Sequence, residues 1–202
     1  MALNQEGHLT RQQLLDVTVE MLDEVSHEDL TMAIVLEKAN VSKSSLYHFF
    51  EDFKDLLGEA LLERFRRSVL TDVTKEAARK SKSQEDYFIA LDKITTLVQS
   101  RGRATIRFER AQILGRARKD EKFRLALGII QQELTDALTE AFAVAQDKGF
   151  LTTTIEPRTI AVFVQSYTLG KVVDDLTQDQ MNDKDWNRLI GQIFRRTLGA
   201  SG

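Results

Sequence analysis

The chain has 202 residues, a net charge of −3, 42% hydrophobic and 29% charged residues, one proline and no cysteine. That length allows one large domain or two small ones, and the missing cysteine excludes disulfides, zinc–thiolate sites, iron–sulfur clusters and cysteine nucleophiles. The opening MALNQEGHLT lacks a basic segment followed by an apolar one, and no apolar run approaches the ~18 residues of a membrane span, so a cytoplasmic protein without a membrane partner is expected.

The pattern predicts helix throughout. Leu14, Leu15, Met21, Leu22 and Val25 recur at a period near 3.6 from Thr10 to Val25, and Thr10 with Gln13 fits a capping box at the start. HEDL at 27–30 reads as a connection, and Thr31 can cap a helix over Met32–Ala39. A short helix follows Ser42, and from Asp52 the run Leu57, Leu61, Phe65, Val69 predicts one helix to about Arg79. Further helices are expected over 83–100, 103–118 and 120–148, the last stopped by Gly149. Pro157 suits a helix start, ahead of a helix over 158–176 that is apolar on more than one side. The last, 183–198, carries Trp186, Leu189, Ile190, Ile193, Phe194 and Leu198. This is an all-α chain of about nine helices with no strand. The apolar width of the final two helices fits either a partner surface or the centre of a monomeric bundle.

The segment KANVSKSSLYHFF (38–50) carries the chemistry. Asparagine tolerates the left-handed region that a bend between helices needs, so Asn40 ends one helix and Ser42 caps the next, with Val41 and Leu46 buried between them. That is a helix-turn-helix. Its second helix would expose Lys43, Ser44, Ser45, Tyr47 and His48. Hydroxyls suit phosphate oxygens, and lysine or histidine can reach phosphate or the edge of a base. Two capped helices meeting at a turn are also an ordinary structural unit, and the local pattern alone leaves both readings open.

The stretch Thr10–Leu57 resembles the DNA-binding domain of the TetR family of bacterial transcriptional repressors. The resemblance rests on TRQQLLD, LT at 30–31, ANVSKSSLYHFF and LL at 56–57. It implies a helix-turn-helix domain over 1–52 and a ligand-binding, dimerisation domain over 53–202. The implied function is a ligand-responsive repressor that binds an inverted-repeat DNA operator as a homodimer. Thr31, Lys43, Tyr47 and His48 fall at positions that contact DNA in the family, with Ser42, Ser44 and Ser45 at or beside them. The chain departs from the family at Asn40, which replaces the turn glycine, and at Ala33 and Ile34, which replace polar residues. Phe53 holds the place of a phosphate-contacting lysine, and Lys54 follows one residue late, about 100° around the helix. Residues 1–70 hold seven bases against thirteen acids, so weak non-specific DNA binding with a shallow salt slope is expected.

The same resemblance implies that the last two helices form a dimeric four-helix bundle, with Phe163, Gly170, Trp186, Ile190, Ile193 and Phe194 at the seam. Phe88, Phe108, Phe123, Phe142, Phe163 and Tyr167 lie on helices that would line a cavity for an unknown small-molecule effector, and a core role explains each equally well. Arg103, Arg107 and Arg110 share one helix face. They could meet an anionic effector or form a solvated row salted by Glu109. The three histidines, His8, His27 and His48, form no metal-type pair with a carboxylate. No phosphate loop or nucleophile elbow appears, so no catalytic residue, metal or cofactor is expected. The competing reading is a helical small-molecule-binding or scaffold protein that keeps the fold without specific DNA binding. The acidic head and the late Lys54 favour it, and VSKSSLYHFF opposes it.

Overall fold

The computed structural model describes residues 2–25 and 29–200, with side chains from Thr10 onward. The connection expected at 27–30 lies partly outside the described residues, as do His27 and the His8 side chain. The chain divides into two compact units, Met1–Arg67 and Ser68–Gly202.

In the first unit, α1 (Ala2–Glu24) packs on α2 (Met32–Ala39), α3 (Lys43–Phe49) and α4 (Phe53–Arg67). The helix start expected at Thr10 is eight residues too late, because α1 already begins at Ala2. Gln13 is no capping-box partner. Its Nε2 donates to the Ala39 carbonyl at 2.8 Å and ties α1 to the end of α2. Leu14, Val35, Ala39, Leu46, Phe50 and Leu56 form a closed core, each at most 2% exposed. The Arg11 guanidinium lies 5.0 Å from the centre of the Phe50 ring and pairs with Glu59, joining α1 to α4.

In the second unit, α5 (Thr71–Lys80), α6 (Gln84–Val98), α7 (Ala104–Ala117), α8 (Glu121–Asp147), α9 (Pro157–Gly170), α10 (Val172–Asp175) and α11 (Asp183–Ile193) follow in order. A 3₁₀ turn (Arg101–Arg103) precedes α7, and a π turn (Phe194–Leu198) ends α11. The long α8 packs against α5, α7 and α9, and α11 packs on α6. Tyr87, Phe142, Leu151 and Ile160 lie at the centre of the core. The C-terminus is fastened by an isolated bridge between Leu151 and Gly199, and Gln84 Nε2 donates to the Phe150 and Ala200 carbonyls.

The described residues are all-α as expected, and two of the predicted helices are each divided into two segments. The helix predicted over 52–79 is interrupted at 68–70, where the Ser68 carbonyl accepts from Arg103 at 2.9 Å instead of continuing the helical ladder. The helix predicted over 158–176 breaks after Gly170. There Lys171 turns its ammonium inward toward Asp175 (3.5 Å), Asp183 (3.4 Å) and Asp174 (3.9 Å). The end of α8 is as expected, with Gly149 at φ 71° and the Phe150 N–H reaching the Ala145 carbonyl at 2.9 Å. Lys148 caps a different helix: its Nζ donates to the Ala78, Arg79 and Ser81 carbonyls at the end of α5.

Candidate nucleic-acid interface and ligand cavity

The turn between α2 and α3 is built from its caps. Thr31 caps α2, its hydroxyl accepting from the Ile34 N–H at 3.5 Å. Asn40 stands at φ 50°, ψ 46°, and its N–H reaches the Glu37 carbonyl at 3.1 Å while Val41 reaches Leu36 at 3.1 Å. Those two bonds close the end of α2 around a left-handed residue. Ser42 caps α3 by accepting from the Ser45 N–H at 3.1 Å, and its hydroxyl also meets those of Ser44 and Ser45, each at 2.8 Å. Leu46 is fully buried and fixes which face of α3 points inward, while Val41 is half-buried.

The opposite face is open. Lys43, Ser44, Tyr47 and His48 are exposed, Ser45 is half-buried, and the Lys43 ammonium sits 5.8 Å from the centre of the Tyr47 ring. The His48 ring packs edge-on against Phe49 at 4.6 Å. Thr31 is exposed at the start of α2, beside exposed Ala33 and Ile34. At the start of α4 the Asp52 carboxylate accepts from the Asp55 N–H at 2.8 Å, Phe53 is half-buried and Lys54 is exposed. The first unit therefore exposes hydroxyls, a phenol, an imidazole and ammonium groups on α3 and at the starts of α2 and α4.

A cavity of about 70 Å³ lies within the second unit. Its apolar wall includes Val69, Leu91, Ile94, Leu138, Phe142 and Phe194; its polar wall includes Thr95, Gln165, Tyr167, Thr168 and three arginines, Arg103, Arg107 and Arg110. The alternative of a solvated arginine row is overturned: Arg107 and Arg110 are buried. Arg107 spans both Asp175 oxygens, Nε at 2.5 Å and NH2 at 2.8 Å, and also donates to the Val98 and Ser100 carbonyls. Its guanidinium holds the Asp175 carboxyl below the usual carboxylate range, with Lys171 adding to the effect. Burial, and then the charge of Arg103, pull Arg110 down to about 10. Arg103 is lowered by burial and by the charge of Arg107. Burial pushes the Tyr167 hydroxyl up to about 12, partly offset by hydrogen bonds with Thr95 and Thr168. Thr168 also accepts from Gln99 Nε2 at 3.1 Å, and Gln99 accepts from the Trp186 indole at 3.2 Å, so the cavity wall connects to α11.

Of the residues read from sequence as pocket candidates, Arg107, Phe142 and Tyr167 stand on this wall. Phe88 lies in the core beneath the Arg195 guanidinium, 5.3 Å away, and Phe123 is covered by Arg116 at 4.5 Å. Phe108 is half-buried off the wall, and Phe163 is more than a third exposed, its ring tilted by 59° against that of Tyr167 at 5.2 Å. The expected dimer seam needs a correction as well. Ile190 and Phe194 are closed into the protomer's own core, at 2% and 3% exposure, and cannot meet a partner. Trp186 and Ile193 are half-buried against that core, whereas Gly170 and Phe163 are exposed. The apolar side chains left outside are Val162 and Phe163 on α9, Val173 on α10, Leu176 just after it and Leu189 on α11. Arg103 and Arg110 were visible in sequence only as part of a row. Thr95, Gln165 and Thr168 gave no signal there, since an isolated threonine or glutamine on a helix is equally at home on the surface.

Across almost its whole length the chain superimposes on solved transcriptional regulators. A TetR-family regulator from Mesorhizobium loti matches 96% of this chain and 98% of its own, with a TM-score of 0.73 at 13% identity. The reduced form of NemR from E. coli matches 96% and 99%, with a TM-score of 0.64 at 17% identity. A TetR-family regulator from Agrobacterium tumefaciens matches 96% and 100%, with a TM-score of 0.59 at 13% identity. The fold is that of the TetR family. In sequence, the HTH-type transcriptional regulator BetI of Burkholderia thailandensis is 36% identical over 78 residues. That match spans 39% of this chain and 37% of the relative, and the BetI of Burkholderia cenocepacia is 36% identical over 74 residues. No family model matches the chain. The proteins that share the TetR fold and the matching sequence are regulators, not enzymes. Among the described residues there is no cluster of three or more histidines and carboxylates suited to a metal, and no helix long and apolar enough to cross a membrane.

Proposed function

We propose that this chain is a cytoplasmic TetR-family transcriptional regulator that binds an inverted-repeat operator in double-stranded DNA as a homodimer and responds to a small-molecule ligand in its second unit. The observation that carries the reading is the capped turn at Asn40–Ser42. It holds α3 with Leu46 inward and Lys43, Ser44, Tyr47 and His48 outward. An α3 of this size fits a major groove, with the hydroxyls on phosphates and Lys43 or His48 within reach of base edges. Thr31 and Lys54 flank it as phosphate ligands. Pairing two half-sites supplies the affinity that an acidic head cannot draw from counterion release. The exposed apolar side chains of α9 and α11, Val162, Phe163 and Leu189, are the surface for the second copy. A ligand that prefers one spacing of the two heads shifts the population away from the spacing that DNA selects.

Selection of bound sequences from a random DNA pool tests the reading. Enrichment of one inverted repeat is the expected result. Failure to enrich any sequence, with protein refolded to remove bound ligand, favours a helical binding protein that no longer reads DNA. The acidic head and the offset of Lys54 from the family position support that second reading.

A further inference from the structure

The break that follows α4 forms part of the cavity wall: Ser68, Val69 and Leu70 line it, together with Arg103. Nothing local explains the break. The apolar period Leu57, Leu61, Phe65, Val69 runs straight through it, and no glycine or proline stands at 68–70. None of the three residues has a positive φ, and Leu70, at φ −86° and ψ 65°, leaves the helical region chiefly in ψ. What marks the break is the diversion of two carbonyls. In a continuous helix Ser68 would accept from the N–H four residues on; here it accepts from Arg103 NH2 at 2.9 Å. The Val69 carbonyl accepts from the Thr71 N–H at 3.0 Å, two residues on instead of four. No side-chain hydrogen bond caps the start of α5 at Leu70, where a permanent helix end ordinarily has one.

We propose that Arg103 is the positioning residue of a two-state joint: its bond to the Ser68 carbonyl keeps 68–70 out of the helix, and loss of that bond lets α4 and α5 join as one helix. The use of the joint in regulation rests on the ligand-responsive reading above, to which it adds the moving element. An occupant of the cavity meets both the joint and Arg103 directly, with no helix between. Burial and the charge of Arg107 lower the proton affinity of Arg103, a cost that the side chain sheds by leaving the wall. Arg107 itself is anchored by Asp175 and by the Val98 and Ser100 carbonyls. Joining the two helices gives the chain a different course at the entry to the second unit. A ligand that favours one form shifts the population toward it, and operator DNA that selects the other opposes the shift.

Residue-resolved amide exchange and Cα chemical shifts of the full chain separate a latch from a simple prop, because the two roles predict opposite signs. In Arg103→Met the latch predicts helical shifts at Ser68, Val69 and Leu70, and exchange at Asp72 and Val73 slowed by at least about tenfold as their N–H groups gain helical partners. Arg103→Lys keeps a donor for the Ser68 carbonyl and should stay within about threefold of the parent. Ser68→Ala raises helix propensity at the joint without touching Arg103 and should move the same signals the same way by less; it carries the test should Arg103→Met fail to fold. Faster exchange at Asp72 and Val73, or no change in variants that circular dichroism shows to be folded, would overturn the proposal. On an enriched operator, Arg103→Met should lose at least about fivefold in affinity and Arg103→Lys no more than about twofold. A joined helix with unchanged operator affinity would overturn the regulatory use of the joint. An enriched operator with a joint that stays broken sinks only the joint, and a joined helix without any enriched sequence sinks only the DNA-binding reading.

Discussion

Asp175→Asn removes the charge that balances Arg107 and leaves the rest of the site in place. The Arg107 side chain is 3% exposed and the Asp175 side chain 1% exposed, joined by two hydrogen bonds of 2.5 and 2.8 Å. Breaking a buried pair by changing one partner costs about 3–5 kcal/mol, because the remaining charge is stranded away from water. The asparagine oxygen can still accept from Arg107, and Lys171 keeps Asp183 at 3.4 Å and Asp174 at 3.9 Å, so the lower half of that range, about 3–4 kcal/mol, is expected. For a unit of this length that corresponds to a midpoint lower by roughly 10–15 °C. Thermal and urea unfolding followed by circular dichroism at pH 7 measure it. The double variant Arg107→Met with Asp175→Leu should recover most of the loss, since an apolar pair replaces a buried ion pair at little net cost. The pH dependence has a definite sign. Arg107 depresses the folded-state pKa of Asp175, so its contribution is complete above the ordinary carboxylate range and disappears as pH falls through the depressed value. The variant should therefore show a flatter acid limb below about pH 4 than the parent. A loss below about 1 kcal/mol, or an unchanged acid limb, would refute the claim that this pair holds α10 to α7.

Other substitutions probe the head and the seam. Asn40→Val should destabilise the first unit by about 1–2 kcal/mol, because a β-branched residue is strained at φ 50°, whereas Asn40→Gly should hold or raise stability; urea midpoints decide. Ser42→Ala should cost about 1 kcal/mol through the lost cap on α3, and an unchanged midpoint would show that Ser44 or Ser45 replaces it. On an enriched operator, Tyr47→Phe should weaken binding by about 1 kcal/mol across sequences, and Lys43→Ala by about 1–3 kcal/mol with relaxed preference at one position. Anisotropy titrations distinguish them, since an equal loss on all sequences would assign Lys43 to phosphate. Phe163→Glu should give monomers by sedimentation velocity; persistent dimers would place the seam elsewhere.

The parts of the fold that were legible in the sequence are those specified locally. Thr31, Asn40 and Ser42 announced the α2–α3 turn because each side chain or backbone preference acts within five residues. Gly149 and Pro157 marked the loop after α8 for the same reason. The two broken helices were not legible. No glycine or proline interrupts Ser68–Leu70, and the Ser68 carbonyl there accepts from Arg103, 35 residues away. Arg107 looked like one member of a solvated row because its partner, Asp175, lies 68 residues on. The apolar stripe of α11 could not say whether Ile190 and Phe194 faced a partner or their own core, since both burials require the same residue types. Phe123 was likewise read for its ring, while its role beneath Arg116 needed the fold.

Hydrogen exchange of the chain, free and bound to an enriched duplex, tests the central claim that α3 and its flanks form the reading surface. The account predicts protection concentrated between residues 31 and 54, strongest across the start of α3, with the cavity helices α6 and α7 changing far less. Protection centred elsewhere, or none at all in a complex shown to be saturated, would contradict it.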